Sequence, residues 1–550
     1  MEWLARSDGY TASGTASAAE VFIAERVRHS GTVRRLHEKL FYRPLLHAVA
    51  AVGEDETRLS PEAAKARFAA LGFTAPEAAL RHLAALTLGV SRRAAIQRTL
   101  LPVLLDYFSS SPDPDGGLLS YRQVSEALAD TPWYLRLLRD EGEVAGRLAT
   151  LLGGSRLIAS LLPRAPEVLR LLVDDAALLE PEPEGVAAAL LARSRRASTA
   201  RESVDAARSS RRHEMLRLAC GDLLGLISVT NIARGLTSVA QTSMRAAYDA
   251  AVEQVIATRG GFRARFAVIG MGRLGGAELS YSSDADVMFV MEPLPDADDQ
   301  VARADAAAVA DLMSRLLGRP SPDPPLEIDA NLRPEGKNGP LVRTLESYRG
   351  YWARVAAPWE RQALLRARPV AGDAELGKAF IAAADSFRYP EGGLSHKDVV
   401  EIRRIKARID AERLPRGADP TTHTKLGRGG LADVEWTVQL LQLQHAFEVP
   451  GLRTPATLPA IQAAAKAGLI SEGDATALTN GWLEAARTRN AIMLVRGKPD
   501  DQIPRQGKEL AAVARALGYP AGGDPGEFVD DYRRATRRAR KVVDRIFDGG

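Results

Sequence analysis

Residues 266–290 read FAVIGMGRLGGAELSYSSDADVMFV, two apolar runs on either side of a glycine-rich turn. The apolar run that begins at Phe266 predicts a buried strand, and the glycines after it predict a tight turn that opens a short helix. The second apolar run, which begins with two aspartates, predicts the next strand. The segment is therefore expected to fold as a strand, a glycine turn, a short helix and a second strand.

The two aspartates of this segment, Asp284 and Asp286, begin the second predicted strand. Alternate side chains of a strand share a face, so the two carboxylates are expected to point the same way, about 7 Å apart. Carboxylates so close repel each other, and aspartate within an apolar strand is costly unless it is paired or bound. Because Mg²⁺ takes oxygen ligands and shares them with substrate phosphates, the pair predicts a metal–nucleotide site. The alternative is a strand edge with two solvated aspartates.

The glycine turn formally matches the dinucleotide fingerprint G-x-G-x-x-G between Gly270 and Gly275. That fingerprint requires a long βαβ unit with an acidic residue about 20 residues further on, whereas the next strand begins too soon here. The chain also lacks the Gly-Lys-Ser/Thr ending of a P-loop. The spacing instead resembles the nucleotidyltransferase fold of the DNA polymerase β type.

A third carboxylate lies in PLEIDANL, residues 325–332, another short strand-like segment. Apolar residues take one face of this predicted strand, and Glu327 and Asp329 take the other. Two-metal nucleotidyl transfer requires a ligand beside the attacking oxygen, and we assign this role to Asp329 and treat Glu327 as a surface residue. The candidate catalytic and metal-binding residues are thus Asp284, Asp286 and Asp329.

Candidate phosphate ligands lie in the glycine turn and in the loop that follows the third aspartate. Glycines let phosphates approach the backbone, and the Ser283 hydroxyl is suited to donate to a phosphate oxygen. Arg333 and Lys337 are placed to reach phosphates, and the fork of an arginine side chain suits phosphate oxygens. The alternative is that both are ordinary charged residues of a loop. The candidate ATP-binding residues are Gly270, Gly272, Arg273, Gly275, Ser283, Arg333 and Lys337.

A second glycine-rich block, KLGRGGLADVE, spans residues 425–435. A glycine-rich loop at a helix N-terminus is a ready anion site, so the block is a candidate domain-closure loop, and a tight interdomain turn is an equally good interpretation. Its candidate residues are Lys425, Gly429, Gly430, Asp433 and Glu435. Between the two blocks, residues 359–368 predict a helix whose Arg366 and Arg368 belong either to an ion-pair network or to a nucleotide site.

Four blocks, taken together and in order, resemble the bifunctional glutamine-synthetase adenylyltransferase/adenylyl-removing enzymes of bacteria. They are GMGRLGGAELSYSSDADVMFV, DANLRPEGKNGPLVRT, WERQALLRARPVAGD and KLGRGGLADVEWTVQLLQLQHA, within residues 266–446. In that family two nucleotidyltransferase halves lie in tandem. The C-terminal half adds AMP from ATP to a tyrosine of glutamine synthetase, and the N-terminal half removes it by phosphorolysis. Because a single glycine–DxD block occurs in 550 residues and helical sequence precedes it, the resemblance implies the C-terminal, adenylylating half.

The resemblance also implies cofactors and partners. ATP would be the substrate with Mg²⁺ or Mn²⁺, glutamine synthetase the protein substrate, and a PII-type signal protein and glutamine the effectors. Three alternatives stay open: phosphorolytic removal of AMP with the same carboxylates, a catalytically inactive regulatory scaffold, and nucleotidyl transfer to a small molecule or RNA.

The expected fold is mostly α with one α/β domain, a polymerase-β-type nucleotidyltransferase core flanked by helical bundles. Residues 1–48 are expected to be the terminal helices of a missing upstream half, and 49–200 a helical central or regulatory region. The nucleotidyltransferase domain is expected at 201–385 and a C-terminal helical bundle at 386–550.

The cysteine content, the apolar runs and the charge of the chain exclude several classes of protein. The single cysteine, Cys220, excludes an internal disulfide and a cysteine-rich metal site. Neither an apolar run of about 18 residues nor a signal pattern is present, so we expect a cytoplasmic protein without a membrane partner. The net charge of +4 is small for this length. The basic segment 192–217 lacks interleaved aromatics and predicts a solvated helical face rather than a nucleic-acid interface.

Overall fold

The computed structural model describes residues 1–12, 17–23, 25–26, 61–179 and 183–548. The chain divides into two compact units, residues 1–154 and 155–550. The predicted domain boundaries are not tested by this division and stay predictions. Most of the segment expected to end an upstream half, 1–48, lies outside the described residues.

The first unit is helical in its described part. The helices whose two ends both lie in the described residues are α1 (Glu2–Ser7), α2 (Pro61–Ala70), α3 (Pro76–Thr87), α4 (Arg92–Ser109), α5 (Pro114–Ala127), α6 (Pro132–Asp140) and α7 (Gly142–Gly154). Tyr121 and Tyr134 are buried, and a chain of hydrogen bonds joins their hydroxyls through Gln97 and Ser125 over distances of 2.7–2.8 Å. Buried polar groups require such partners, so this network helps to fix how α4, α5 and α6 pack.

The second unit joins one small sheet to many helices. Its helices are α8 (Arg156–Leu161), α9 (Asp175–Leu179), α10 (Pro183–Ser194), α11 (Ala200–Leu223), α12 (Val229–Arg259), α13 (Gly272–Gly275), α14 (Asp299–Gly318), α15 (Leu345–Arg354), α16 (Pro358–Leu364), α17 (Ala374–Arg388), α18 (His396–Glu412), α19 (Leu431–His445), α20 (Thr457–Lys466), α21 (Glu472–Arg496), α22 (Gly507–Ala516) and α23 (Gly526–Asp548). Short 3₁₀ helices span Leu162–Arg164, Pro166–Val173, Gly336–Asn338 and Pro450–Leu452. The expectation of a mostly α protein with one α/β region is thereby confirmed.

The sheet has five strands: β1 (Ala264–Gly270), β2 (Ala285–Pro293), β3 (Ile328–Asp329), β4 (Val342–Thr344) and β5 (Arg368–Gly372). Their order is β3-β2-β1-β5, and β4 also pairs with β2. β1 is antiparallel to β2 and β5, whereas β3 and β4 run parallel to β2. The strand, turn, short helix and strand expected for residues 266–290 are all present.

Helices cover both faces of the sheet, so β1 and β2 are apolar on both sides. On one face Ile269 and Val290 pack with Tyr348 of α15 and Phe380 of α17. On the other face Phe266 stacks on Tyr248 of α12, with ring centroids 5.8 Å apart. This packing leaves the end of the sheet that carries the aspartates partly open to solvent.

The helices after the sheet share a separate core. Trp482, Phe528 and Tyr532 lie at its centre, together with aliphatic residues of α18–α23. None of the helices in the described part of the chain is long and apolar enough to cross a membrane.

Two sequence-based expectations are wrong in this unit. The basic segment 192–217 is not a solvated face throughout, since Arg208, Arg211, Arg212 and Arg217 of α11 are buried against carbonyls and carboxylates. The helix expected over residues 359–368 ends at Leu364, because the chain turns there and enters β5.

Candidate metal and nucleotide site

Two neighbouring strands bring the predicted carboxylates together. Asp284 directly precedes β2, Asp286 is the second residue of β2, and Asp329 ends β3. The parallel register places Asp286 opposite Asp329. One carboxylate oxygen of each of the three residues lies within 4.8 Å of the other two. Glu327, which the sequence assigns to the surface, is exposed.

The site concentrates negative charge. Burial first, and then the neighbouring carboxylates of Asp284 and Asp329, raise the pKa of Asp286 to about 6, against an opposing effect of Lys425. Three hard oxygen donors with mutual repulsion fit a cation such as Mg²⁺ or Mn²⁺, since bound charge relieves the repulsion and carboxylates suit these ions. The donor set of this chain is therefore compatible with the predicted metal.

The glycine turn packs closely against the carboxylates. Gly272 has φ +49°, and any side chain there would collide with the carboxylate of Asp286. The backbone N–H of Met271 donates to the carbonyl of Asp286 at 2.8 Å. Gly275 has no room for a side chain because the carbonyl of Arg366 lies against it. Packing within the protein accounts for both glycines, whereas their predicted contact with phosphate stays a prediction.

Ser283 and Arg273 have protein partners. The Ser283 hydroxyl accepts from the Ser280 N–H at 3.0 Å and lies 2.9 Å from the Ser280 hydroxyl. Arg489 donates to that second hydroxyl at 3.1 Å, so a charged side chain of α21 steadies the turn before Asp284. Arg273 forms an ion pair with Glu435 at 3.4 Å.

The loop after Asp329 is closed by one arginine. Arg333 donates to the carbonyls of Ala330 at 2.8 Å, Gly339 at 3.2 Å and Lys337 at 3.3 Å. These bonds use the guanidinium to fix the loop, which the sequence does not anticipate. The Lys337 side chain is exposed.

The second glycine-rich block forms a compact turn. Gly429 has φ +72° and lies against the carbonyl of Thr536, which leaves no room for a side chain. Asp433 is buried, accepts from the Gly429 N–H at 2.7 Å, and pairs with Lys406 at 2.6 Å and Arg540 at 2.7 Å. Asp433 is thereby committed to contacts within the protein. The exposed Lys425 acts electrostatically on Asp286, so this block reaches the carboxylate site.

A buried polar cluster, which we call the turn anchor, joins the glycine turn to the C-terminal helices. It consists of Glu278, Arg366, Thr457, Glu435 and Arg273. Glu278 accepts from the backbone N–H of Thr457 at 2.6 Å, from its hydroxyl at 3.0 Å, and from Arg366. Sequence reasoning missed Glu278; the only signal was an acidic residue directly before the apolar Leu279.

The two arginines that follow α16 both act within the protein. Arg366 belongs to the turn anchor, and its Nη2 lies 3.7 Å from Glu435 Oε2. Arg368 donates to the carbonyls of Leu274 and Gly275, at 3.1 and 3.0 Å. The ion-pair interpretation is thus confirmed for Arg366, and both side chains hold the glycine turn in place.

Fold and site together define a cluster of three acidic side chains at the end of a small mixed sheet that is embedded in helices. Residues 145–383 match the family model of glutamate-ammonia ligase adenylyltransferase, and residues 403–547 match that of GlnD PII-uridylyltransferase. The chain is 54% identical over its whole length to the bifunctional glutamine synthetase adenylyltransferase/adenylyl-removing enzyme of Nocardia farcinica, of which it covers 55%. It is 53% identical over its whole length to that of Mycobacterium avium, covering 56%, and 55% identical over 95% of its length to that of Streptomyces avermitilis, covering 54%.

The chain is therefore a homologue, along its whole length, of the bifunctional glutamine synthetase adenylyltransferase/adenylyl-removing enzymes. The resemblance that the four sequence blocks carry is confirmed. The chain spans about half the length of the curated relatives it matches.

Proposed function

We propose that this chain is the adenylylating, C-terminal half of such an enzyme, which moves AMP from ATP to a tyrosine of glutamine synthetase and releases pyrophosphate. The observation that carries the proposal is the cluster of Asp284, Asp286 and Asp329 within 4.8 Å, in a chain whose relatives are named for this transfer. The strand, glycine turn and strand that carry this cluster support a polymerase-β-type nucleotidyltransferase core.

The three aspartates would hold the divalent cation, Mg²⁺ or Mn²⁺. When bound, such an ion neutralises phosphate charge and polarises the phosphorus that is attacked. Asp329 lies on its own strand, opposite Asp286 of β2, and would accept the proton of the incoming tyrosine hydroxyl. That hydroxyl has an ordinary pKa near 10, so a neighbouring carboxylate lowers the cost of deprotonation.

Other residues would bind and orient ATP. The turn from Gly270 to Gly275 and the Ser283 hydroxyl border Asp284 and Asp286, and they would contact the phosphates. Lys337 is an exposed cation on the loop that follows Asp329, and the exposed Lys425 lowers the pKa of Asp286, so both are suited to bind the charged leaving group.

The partners follow from the same relationship. Glutamine synthetase would be the protein substrate in the cytoplasm, and a PII-type signal protein and glutamine would be the effectors. The match of residues 403–547 to a PII-uridylyltransferase supports a PII-type partner. Phosphorolytic removal of AMP is the second candidate, because the relatives are named for both activities and both directions use the same carboxylates.

The test is intact-mass spectrometry of glutamine synthetase after incubation with this chain, ATP and Mg²⁺. Asp329→Asn is the diagnostic variant, and Glu327→Gln is its matched control because it removes an exposed carboxylate two residues away. We expect an added AMP in the wild type and in Glu327→Gln, and none in Asp329→Asn. Loss of AMP from adenylylated glutamine synthetase with phosphate, and no addition with ATP, would support the removing reaction. An inactive wild type in both directions would overturn the proposal.

A further inference from the structure

The third carboxylate lies on the weakest strand of the site. β3 has two residues, Ile328 and Asp329, and its ladder with β2 covers only those two positions. So short a strand contributes few hydrogen bonds of its own. The position of Asp329 must therefore depend on how the preceding chain is held.

That preceding chain is the proline-rich loop 319–325, RPSPDPP. Prolines have no N–H and cannot donate to a ladder, so this loop is poorly able to fix itself. Its carbonyls still require donors where they are buried. Guanidinium groups supply up to five donors in a rigid fork, which suits such a row of carbonyls.

Three buried arginines of α11, which we call the arginine clamp, supply those donors: Arg208, Arg211 and Arg212. Arg208 is 0% exposed and donates to the carbonyls of Arg319 at 2.9 Å and Asp323 at 2.8 Å. It also donates to the carbonyl of Leu316, at the end of α14, at 3.3 Å. Arg208 therefore links α11 to the end of α14 and to residues 319 and 323 of the loop.

The other two arginines hold the second part of the loop. Arg211, 6% exposed, donates to the carbonyls of Pro324 at 2.7 Å and Pro325 at 2.6 Å. Arg212 pairs with the carboxylate of Asp323 and donates to the carbonyl of Arg164 at 2.7 Å. The clamp thus binds three consecutive residues that end four positions before Asp329.

Between the clamp and Asp329 the chain has little freedom. The N–H of Leu326 donates to the carbonyl of Leu317 at 3.0 Å, and its side chain is buried. The carbonyl of Glu327 accepts from the N–H of Ala285 at 2.8 Å, next to Asp286. Four extended residues span about 13 Å. Because this segment is short and extended, a displacement of the residues that the clamp binds also displaces the third carboxylate.

We propose that Arg208, Arg211 and Arg212 are positioning residues for Asp329. They set the distance between the third carboxylate and those of Asp284 and Asp286, and thereby the affinity for the divalent cation. They act through the loop and not by touching the ion. This inference deepens the proposed function, because it rests on the same carboxylate site, and metal binding tests it independently of adenylyl transfer.

The test compares two buried arginines of the same helix. Arg211→Lys removes the fork that holds Pro324 and Pro325. Arg217→Lys is the matched control, since Arg217 is also 6% exposed but bonds Glu214 and the carbonyl of Leu178, away from the loop. Mn²⁺ affinity of the nucleotide-free chain is measured by electron paramagnetic resonance, and the melting temperature of each variant is recorded.

We expect Arg211→Lys to weaken Mn²⁺ binding by about tenfold, the scale seen when the outer partners of a metal ligand are lost. Arg217→Lys is expected to leave the affinity within about twofold even if it lowers the melting temperature by the same amount. In an Asp329→Asn background, Arg211→Lys is expected to cost no further affinity, because both changes act on one ligand.

Equal effects of the two lysine variants on Mn²⁺ affinity, or additive effects of Arg211→Lys and Asp329→Asn, would overturn the inference. If Arg211→Lys fails to fold, Asp323→Asn replaces it, with Glu214→Gln as its control, because each removes the acidic partner of one buried arginine. A selective loss of affinity in Asp323→Asn supports the clamp, and equal affinities overturn it.

Failure of the proposed function gives a different result. A wild-type chain that binds Mn²⁺ with the expected dependence on Arg211 but transfers no AMP would leave the clamp standing and remove the proposed reaction. A wild-type chain that transfers AMP but binds no Mn²⁺ without nucleotide would overturn the clamp and leave the proposed reaction standing.

Discussion

Replacing Glu278 with glutamine tests whether the turn anchor holds the glycine turn. Glu278 and Arg366 are each 7% exposed and form a buried ion pair, and Glu278 also accepts from the backbone N–H and the hydroxyl of Thr457. Glutamine has nearly the same shape but only one acceptor oxygen. Its NH₂ group must face either Thr457 or Arg366, so one donor then opposes another.

The magnitude follows from the environment of the remaining charge. Removing one partner of a buried ion pair costs about 3–5 kcal/mol, because the other charge stays buried without full compensation. Glu435 Oε2 lies 3.7 Å from Arg366 Nη2 and keeps part of that compensation. We therefore expect Glu278→Gln to lower the free energy of unfolding by about 3 kcal/mol, the lower end of that range.

Urea unfolding followed by circular dichroism and by tryptophan fluorescence measures this change. Coincidence of the two transitions would justify a two-state analysis. Glu375→Gln is the control, because it breaks an ion pair with Lys378 in which both side chains are more than 70% exposed, and we expect no measurable change. A loss in Glu278→Gln below about 1 kcal/mol, the range of exposed pairs, would refute the reasoning.

Two further predictions concern backbone strain and pH. Gly272→Ala should lower Mn²⁺ affinity at least tenfold, since its Cβ would displace the Asp286 carboxylate. Gly260→Ala is the control: Gly260 has φ +74° and lies in open space, so this variant should cost only about 1 kcal/mol of stability. Equal Mn²⁺ affinities of the two variants in binding assays would contradict this. Burial raises the pKa of Asp222, which accepts from the Tyr281 hydroxyl at 3.0 Å, to about 7. A raised carboxyl pKa stabilises the fold at low pH, and this contribution is lost as pH rises from about 4 to 7. In urea unfolding, Asp222→Asn should therefore gain about 3 kcal/mol relative to the wild type over that window. A pH-independent difference would show that Asp222 ionises normally.

The parts of the site that local spacing determines were predictable from the sequence. Asp284 directly precedes β2 and Asp286 is its second residue, so a period of two along the extended chain is enough to place them on a common face. Asp329 was predictable as a third member of the cluster because it also lies in a short apolar segment with an acidic face. The structure confirms that all three lie together.

The supports of the site were not predictable, because their partners lie far away in sequence. Arg211 bonds carbonyls 113 and 114 residues away, and Glu278 bonds Thr457 179 residues away. A basic helix considered alone predicts a solvated face, because its local sequence does not show which carbonyl groups from distant segments will pack against it. The sequence predicted that Gly272 makes room for a phosphate, whereas the group that excludes a side chain there in the structure is the carboxylate of Asp286.

These supports share a physical cause. Three carboxylates held within 4.8 Å repel one another, and β3, which carries Asp329, is too short to resist that repulsion by its ladder alone. Each side of the cluster is instead held from outside the sheet: Arg366 and Arg368 fix the turn next to Asp286, and the arginine clamp fixes the loop before Asp329. Guanidinium groups suit this task because they stay charged when buried and bond several carbonyls in a fixed geometry. The three carboxylates can therefore stay close together without a bound cation, which would reduce the reorganisation that binding of one requires.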